Sequence, residues 1–293
     1  MLVVPGSLMS PSGVGTPGGG GSLWQPSTSD MYLWLDASDT STITVTGTDV
    51  DQWDDKSVNG HVFTGTTTTR PQSGTTTQNS LNVMYFDRDY VTDAAGGGNF
   101  DLLNDGSEST IFIVFSPSLE PNPNIFFGLL GSNQAASAQT GASVWWDDRS
   151  SVSRNETLIH QTTSASQDVE NVMANSSSPA QTWQMVAISG DSNNATAADR
   201  SYIYHNGNTA VQNSTKTGAA NGGTSHAMQI GALGSGTAPY EGSIAEILIY
   251  EHLTVHPMNT AERQKIEGYL AWKWGIQASL PAGHPYESGA PTV

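Results

Sequence analysis

Short apolar segments recur along the chain, separated by stretches rich in Gly, Ser, Thr and Asn. The segment TIFIVFS at residues 110–116 is apolar on both faces, and WQMVAIS at residues 183–189 is similar. Runs of this length that are rich in β-branched and aromatic residues predict buried strands. We predict further strands at residues 31–36, 81–86, 125–130, 143–146, 201–204, 227–232 and 242–250. A chain with this many short strands belongs to the all-β class.

The connections between these segments favour turns. Charged residues make up 13% of the sequence, about half of the roughly 25% found in average soluble domains. Asn206 and Gly207 follow a predicted strand, and together they supply the positive φ angles of a tight hairpin turn. We therefore expect antiparallel pairing at this point.

One helix is expected near the end of the sequence. Asn259 can cap it, Glu262 follows three residues later, and Gly275 provides a stop. The apolar residues that recur at helical spacing are Ile266, Tyr269, Leu270 and Trp274. The charged residues expected mostly away from this stripe are Glu262, Arg263, Lys265 and Glu267. The aromatic side of the helix is predicted to pack on the strands.

Residues 1–23 have a different composition from the rest. They contain three prolines and a run of four glycines at residues 18–21, so they cannot build a packed element alone. We interpret residues 1–23 as a flexible arm that a partner surface would hold, and residues 24–293 as one domain.

Charge and cysteine content exclude several classes of function. Ten Lys and Arg against 27 Asp and Glu give a formal net charge of −17, which repels phosphate backbones, so no nucleic-acid partner is expected. The absence of cysteine excludes disulfides, zinc–thiolate sites and thiol catalysis. No run approaches about 18 apolar residues, so no membrane insertion is expected.

Several motifs, in a particular order, resemble known β-sandwich modules. The series WQMVAIS at 183–189, YIYHNG at 202–207, QIG at 229–231 and YEGSIAEILIY at 240–250 resembles the closing half of a laminin G-like domain. The segments LWLDASD at 33–39 and VDQWDDKS at 50–57 resemble the opening of concanavalin A-like modules found in phage virion and bacterial surface proteins, and EGYLAWKWG at 267–275 resembles their ending. The resemblance implies an antiparallel two-sheet jelly-roll sandwich with one C-terminal helix packed on it.

The resemblance raises the question of glycoside hydrolysis, which needs two carboxylates across a cleft. Hydrolases of this fold carry a Glu-x-Asp-x-x-Glu run, and the sequence has none. Glu246 and Glu251 lie five residues apart, so on a regular strand they would point to opposite faces. No Gly-x-Ser-x-Gly elbow occurs either. We predict no catalytic residue and no enzymatic activity.

A group of aspartates suggests a calcium site. Asp49, Asp51, Asp54 and Asp55 could ligate the ion through carboxylate oxygens, as some laminin G-like domains do. The group lacks the spacing and glycine of an EF-hand loop, and we favour its interpretation as a solvated acidic turn. No cofactor is therefore required, and calcium remains an open alternative.

Two adjacent tryptophans are the candidate ligand-binding residues. Trp145 and Trp146 lie in a predicted strand, where one must face the core and the other must face outward. An outward indole could stack on a sugar ring or anchor a neighbouring protein. It could equally lie beneath a loop of the same chain.

Three functions follow from these features. The first is a non-enzymatic virion structural protein, either a head decoration or a tail or fibre component, that contacts other virion proteins through residues 1–23. The second is a carbohydrate-binding adhesin of a phage or bacterial cell surface, with host glycans as partners. The third, and least favoured, is a polysaccharide-degrading enzyme, because no acid and base can be named.

Overall fold

The structure is a computed structural model that describes residues 22–118, 125–133, 140–149, 156–164, 167–212, 223–252 and 257–293. Its strands form two antiparallel sheets that pack face to face, and one helix covers the back of the smaller sheet. The predicted all-β jelly-roll sandwich with a C-terminal helix is confirmed. No helix of the described residues is long and apolar enough to cross a membrane.

The smaller sheet has six strands, and its central strand is long. In spatial order its strands are β1 (Leu33–Asp36), β17 (Tyr240–His252), β9 (Glu108–Pro117), β14 (Gln184–Gly190) and β15 (Ser201–His205), and β7 (Met84–Asp89) also pairs with β17. The first half of β17 pairs with β7 and the second half with β1. One long strand therefore organises this whole layer.

The larger sheet has nine strands. In spatial order they are β13 (Gln167–Val172), β12 (Thr157–Ser164), β11 (Gly141–Asp147), β10 (Phe126–Gly131), β16 (Gln229–Ile230), β8 (Val91–Asp93), β4 (Val62–Thr64), β3 (Asp49–Asp54) and β2 (Ile43–Thr46). A separate small hairpin consists of β5 (Thr77–Gln78) and β6 (Leu81–Asn82).

The main core lies between the two sheets, where alternate residues of facing strands meet. Phe115, Ile113 and Ile247 of the smaller sheet are buried in the same cluster as Trp53 and Trp146 of the larger one. Burying a large apolar side chain of this kind stabilises the fold by about 1.5–3 kcal/mol. This layer therefore provides most of the hydrophobic stabilisation expected from the apolar strands.

The hairpin prediction at residues 206–207 is confirmed. Asn206 has φ 50° and Gly207 has φ 74°, the left-handed values that a two-residue turn requires. The chain then returns so that Ile203 pairs antiparallel with Val211. The side chain of Asn206 also accepts a hydrogen bond from the backbone N–H of Met185, at 2.8 Å, which fixes the turn against β14.

The helix α1 (Thr260–Lys273) begins and ends where the sequence predicts. The side-chain oxygen of Asn259 accepts from the N–H of Ala261 at 2.9 Å, and Gly275 follows with φ 67°. The apolar stripe that includes Ile266 and Leu270 packs on the outer side of the six-stranded sheet in a second core.

The prediction that the charged residues of this helix lie away from the packed stripe is wrong for two of them. Arg263 is 6% exposed and Glu267 is fully buried. They form an ion pair with each other, His284 lies 3.2 Å from Glu267, and the Arg263 guanidinium stacks over the Tyr204 ring. The C-terminal tail covers this side of the helix, so the packed face is wider than the apolar stripe.

The two ends of the described chain meet behind the helix. Leu23 pairs with Thr292, and the N–H of Trp24 donates to the carbonyl of Pro291 at 2.8 Å. Leu23 and Trp24 pack against the second core, and the Trp24 ring makes an edge contact with Tyr269. Most of the predicted arm, residues 1–21, lies outside the described residues, so that interpretation stays a prediction.

Candidate functional site

Both candidate tryptophans are buried, so neither provides the exposed ring that the sequence suggested. Trp146 is fully buried in the main core, stacked on Phe127, and its indole N–H donates to the carbonyl of Ser178 at 2.7 Å. Trp145 points to the opposite face, as alternation requires, but it is only 2% exposed and packs with Leu233 and Ile159. Parts of the same chain cover it, which is the alternative that the sequence left open.

The four aspartates of the proposed calcium site are not brought together. Asp49 and Asp51 pair with Arg70, and Asp54 accepts from the Gln52 amide at 2.7 Å. They belong to strand β3, not to the acidic turn considered above. No group of three or more acidic, histidine or cysteine side chains able to hold a metal occurs in the described ranges.

Asp55 has a structural role of its own. One carboxylate oxygen accepts from the backbone N–H groups of Trp34 and Ser57, at 2.8 and 2.7 Å, and the other accepts from the Ser57 hydroxyl. This oxygen also accepts from the N–H of His61 at 3.3 Å. Asp55 therefore connects β1 to the loop that follows β3.

Glu246 is fully buried, and its contacts are structural. A bulge in β17 at Ala245 shifts the alternation, so Glu246 points towards the helix. One oxygen accepts from the indole of Trp34 at 2.7 Å and the hydroxyl of Tyr269 at 3.0 Å. The other accepts from Lys273 at 2.8 Å and the indole of Trp274 at 2.7 Å.

Burial raises the pKa of Glu246, and the neighbouring Lys273 opposes that shift. Lys273 also contacts Asp36 at 2.8 Å, and Asp36 contacts Lys56 at the same distance. Burial raises the pKa of Asp36, but the two lysines outweigh it and hold that pKa below its usual value. The register after the bulge is regular, so Glu251 lies on the face opposite Glu246. The ion pairs that join Glu246, Lys273, Asp36 and Lys56 therefore link the helix to the sheet.

The outer face of the nine-stranded sheet carries a continuous line of polar residues. Strand registers place one outward residue of every strand at the same level. In spatial order this polar row consists of Thr44, Gln52, Thr64, Thr92, Gln229, Gly131, Ser143, Gln161 and Glu170. At about 4.8 Å between strands, the row runs for roughly 38 Å across the sheet.

The first part of the polar row is accessible. Thr44 is exposed, and Gln52, Thr64 and Thr92 are partly exposed. Their neighbours in sequence, such as Trp53 and Phe63, face the main core, so the polar side chains project outward. This end of the row therefore exposes hydroxyl and amide groups, although the Gln52 amide already donates to Asp54 and the Thr92 hydroxyl accepts from the Gln229 amide at 3.2 Å.

The other part of the row is covered and leaves polar atoms without partners. Ser143 is fully buried and Gln161 is 1% exposed, and they lie opposite each other on β11 and β12. The Ser143 hydroxyl, the Gln161 carbonyl oxygen and the indole nitrogen of neighbouring Trp145 have no hydrogen-bond partner. Burying a polar group without a hydrogen-bond partner costs about 1–3 kcal/mol of stability. This end of the row therefore contains polar groups whose hydrogen-bonding capacity is unused.

A loop crosses the polar row at its middle, and two glycines make room for it. A Cβ atom at Gly128 would lie 2.4 Å from the backbone nitrogen of Leu233, and one at Gly131 would lie 3.1 Å from its Cα. The Gln229 side chain accepts from the N–H of Gly236 at 2.7 Å. The row itself therefore holds the loop in place.

A tyrosine flanks the accessible part of the row. Tyr90 is partly exposed and lies between β7 and β8, two residues before Thr92. A Cβ at Gly236 would lie 2.6 Å from the Tyr90 hydroxyl oxygen, so the tyrosine packs beside the crossing loop. Tyr90 therefore adds a partly exposed aromatic ring beside the crossing loop.

The charged groups around the row are mainly acidic. Asp54 lies next to Gln52, and Asp147 lies on the outward side of β11. Arg149 donates to both oxygens of Asp147, at 2.8 and 2.7 Å, and lies over the Phe126 ring. Hydrogen bonding to Asp147 raises the pKa of Arg149. This cation is therefore already paired with a carboxylate of the same chain.

An open cleft of about 240 Å³ lies away from the polar row, beside the start of β1 and the end of β17. It is lined by Ser29, Met31, Tyr32, Val58, Asn59 and Glu251. Val58 is 70% exposed, but the amide of Asn59 is used by the carbonyls of Met31 and Tyr32. The cleft therefore offers one carboxylate and little further hydrogen-bonding capacity.

No family model matches the sequence, and no curated protein matches it either. Solved structures do match in fold. The binding domain of Paraclostridial Mosquitocidal Protein 1 has a TM-score of 0.52 at 12% identity and covers 82% of this chain. A structure of botulinum neurotoxin type C, whose cell entry depends on interaction with two ganglioside molecules, has a TM-score of 0.50 at 10% identity and also covers 82% of this chain.

This chain spans 52% and 51% of the two toxin chains, so it corresponds to about half of each. Domain 4 of AbnA, an extracellular arabinanase from Geobacillus stearothermophilus solved with arabinotriose, matches at 16% identity. Its TM-score is 0.42, and the match covers 77% of this chain and 94% of that one. At 10–12% identity, the likeness to the first two structures shows the β-sandwich fold alone.

Proposed function

We propose that this chain is a carbohydrate-binding module that holds its ligand along the polar row. The observation that carries the proposal is the accessible line of Gln52, Thr64 and Thr92, which presents uncharged hydroxyl and amide groups at one level of adjacent strands. Sugars are recognised by such groups, because each ring offers several hydroxyls that both donate and accept. The strand spacing is comparable to the length of one ring in an extended glycan.

Tyr90 adds an aromatic surface to this site. Ligand sites combine apolar and aromatic contact area with a few placed polar groups, and the Tyr90 hydroxyl lies beside Gly236, whose N–H is bound by Gln229 of the row. A sugar ring that stacks on Tyr90 would bring its hydroxyls towards Thr92 and Thr64. This arrangement supports short-range hydrogen bonding as the main source of specificity.

The covered end of the polar row carries further groups of the kind that bind sugars. The Ser143 hydroxyl can donate and accept, the Trp145 indole can donate, and the Gln161 carbonyl can accept. They are at most 2% exposed, so a glycan would contact them only after the covering residues had moved, and it would then supply the hydrogen bonds that they lack. The fold likeness is compatible with this function, since one neighbour depends on gangliosides, although a shared fold does not determine a ligand.

The test is binding of the whole chain to a glycan array and to insoluble polysaccharides. The double variant Gln52→Ala/Thr64→Ala should reduce binding at least about tenfold, which corresponds to roughly two lost hydrogen bonds. The matched control is Thr182→Ala, which removes an exposed threonine hydroxyl before β14 of the other sheet. Unchanged binding in the double variant, or an empty array, would refute the proposal.

We also propose that the module recognises its ligand without cleaving it. Glu246 is enclosed by four donors, and Asp147 is paired with Arg149. Neither carboxylate is therefore placed to act as a general acid or base at a glycosidic bond. Incubation with each polysaccharide that binds should release no reducing sugar, and release that stops after a single carboxylate substitution would contradict this.

The setting that we propose is a virion, with a bacterial cell surface as the alternative. In this setting residues 1–23 would attach the module to other virion proteins, and the glycan would belong to the host. Deleting residues 1–23 should leave a folded module that no longer joins the particle. Undiminished incorporation of the truncated protein would exclude attachment through this segment.

A further inference from the structure

The charges that border the polar row restrict which glycans can lie on it. Eight of its nine positions carry no ionisable side chain, and the remaining one is Glu170. Asp54 borders the accessible end, next to Gln52. Carboxylates are therefore close to both ends of the row, while its centre is uncharged.

The described residues offer little positive charge on this face. Arg149 is held by both oxygens of Asp147 and lies 4.1 Å from the centre of the Phe126 ring. Arg70, at the edge beside β3, contacts Asp49 and Asp51. A ligand carboxylate or sulfate would have to displace one of these carboxylates, and the net charge of −17 opposes its approach as well.

We infer that the polar row selects uncharged glycans and discriminates against those that carry carboxylate or sulfate groups. The inference rests on the proposed carbohydrate-binding function and specifies its substrate class. Two like charges about 4 Å apart in water repel by an energy equivalent to roughly a factor of five in affinity. An acidic glycan should therefore bind at least about fivefold more weakly than its neutral counterpart at low salt.

The experiment compares matched pairs on one surface, with lactose beside sialyllactose and galacto-oligosaccharides beside oligogalacturonates. The whole chain is applied at about 10 mM and about 500 mM salt, because screening lengths fall from roughly 30 Å to below 8 Å over this range. We expect the neutral member to bind better and the difference to shrink at high salt. Equal or tighter binding of the acidic members would overturn the inference and leave the carbohydrate-binding function intact, whereas an absence of binding to both would overturn both proposals.

A variant in which the charge of Asp54 is reversed provides a second test. Asp54→Lys should raise binding of acidic glycans severalfold, because it replaces the carboxylate beside Gln52 with a cation. The control is Asp87→Lys, an exposed position on β7 of the other sheet that changes the net charge by the same amount. An equal gain in both variants, or no gain in Asp54→Lys, would show that the charges beside the row do not set the selectivity.

Discussion

Replacing Glu246 should destabilise the fold more than replacing any exposed carboxylate. Glu246 lies between the six-stranded sheet and the helix, fully buried, and accepts hydrogen bonds from Trp34, Tyr269, Lys273 and Trp274. An alanine at this position would leave two indoles and a hydroxyl without an acceptor. It would also leave Lys273 with Asp36 as its remaining carboxylate partner in the described contacts.

The size of the effect follows from these contacts. Removing one partner of a buried ion pair costs about 3–5 kcal/mol, and total stabilities are about 5–15 kcal/mol. We expect Glu246→Ala to lose about 3–5 kcal/mol. Glu246→Gln keeps the shape but turns one acceptor into a donor that faces Lys273 and Trp274, so about 1–3 kcal/mol should be lost.

Urea unfolding followed by tryptophan fluorescence and by circular dichroism measures both values, and coincident curves justify a two-state treatment. Glu251→Ala is the control, because this residue is on the same strand but exposed; its change should stay within about 0.5 kcal/mol. A loss below about 1 kcal/mol in Glu246→Ala, with an unchanged slope on denaturant, would refute the view that this carboxylate anchors the helix.

Two further predictions concern pH and packing. Burial lowers the pKa of His205 to about 4, below its unfolded value near 6.5, so its contribution to stability is complete above pH 6.5 and is lost as the pH falls towards 4. Between pH 7 and pH 4 the stability of His205→Gln should therefore vary by about 1–2 kcal/mol less than that of the unmodified protein, as measured by urea titrations at each pH. The same dependence of stability on pH in both proteins would contradict this. Gly128→Ala should lose about 1–3 kcal/mol in the same assay, because its Cβ would collide with the Leu233 backbone. Gly97→Ala, whose Cβ has no neighbour closer than 3.6 Å, should be nearly neutral, and similar losses in both would refute the packing argument.

The sequence predicted the strands of the six-stranded sheet well because both faces of that sheet are buried. β9 and β17 are covered by the main core on one side and by the helix on the other, so they read as continuous apolar runs. The strands β2, β3, β4, β8, β12 and β13 were missed. Many of their outward residues are polar, and the short polar alternation resembles a loop. Asp49–Asp54 was interpreted as an acidic turn for this reason.

The candidate site depended on information that one sequence does not contain. Alternation correctly placed Trp145 and Trp146 on opposite faces, but it could not show that Leu233 returns from a distant part of the chain to cover Trp145. The polar row depends on the registers of nine strands, six of which were not predicted. The burial of Glu267 depends similarly on the C-terminal tail, which brings His284 onto the helix.

The pairing of Leu23 with Thr292 has a consequence for how this domain can be attached to a carrier protein. Leu23 and Thr292 both lie in the layer behind the six-stranded sheet, where Trp24 contacts Tyr269, whereas the polar row lies on the outer face of the other sheet. A carrier fused at either end, or a host loop into which the module is inserted, would thus hold it from the rear. Many copies fixed side by side on one support would all direct the face that carries the polar row towards the medium, so that weak individual contacts would combine into strong attachment if this face binds glycans as we propose.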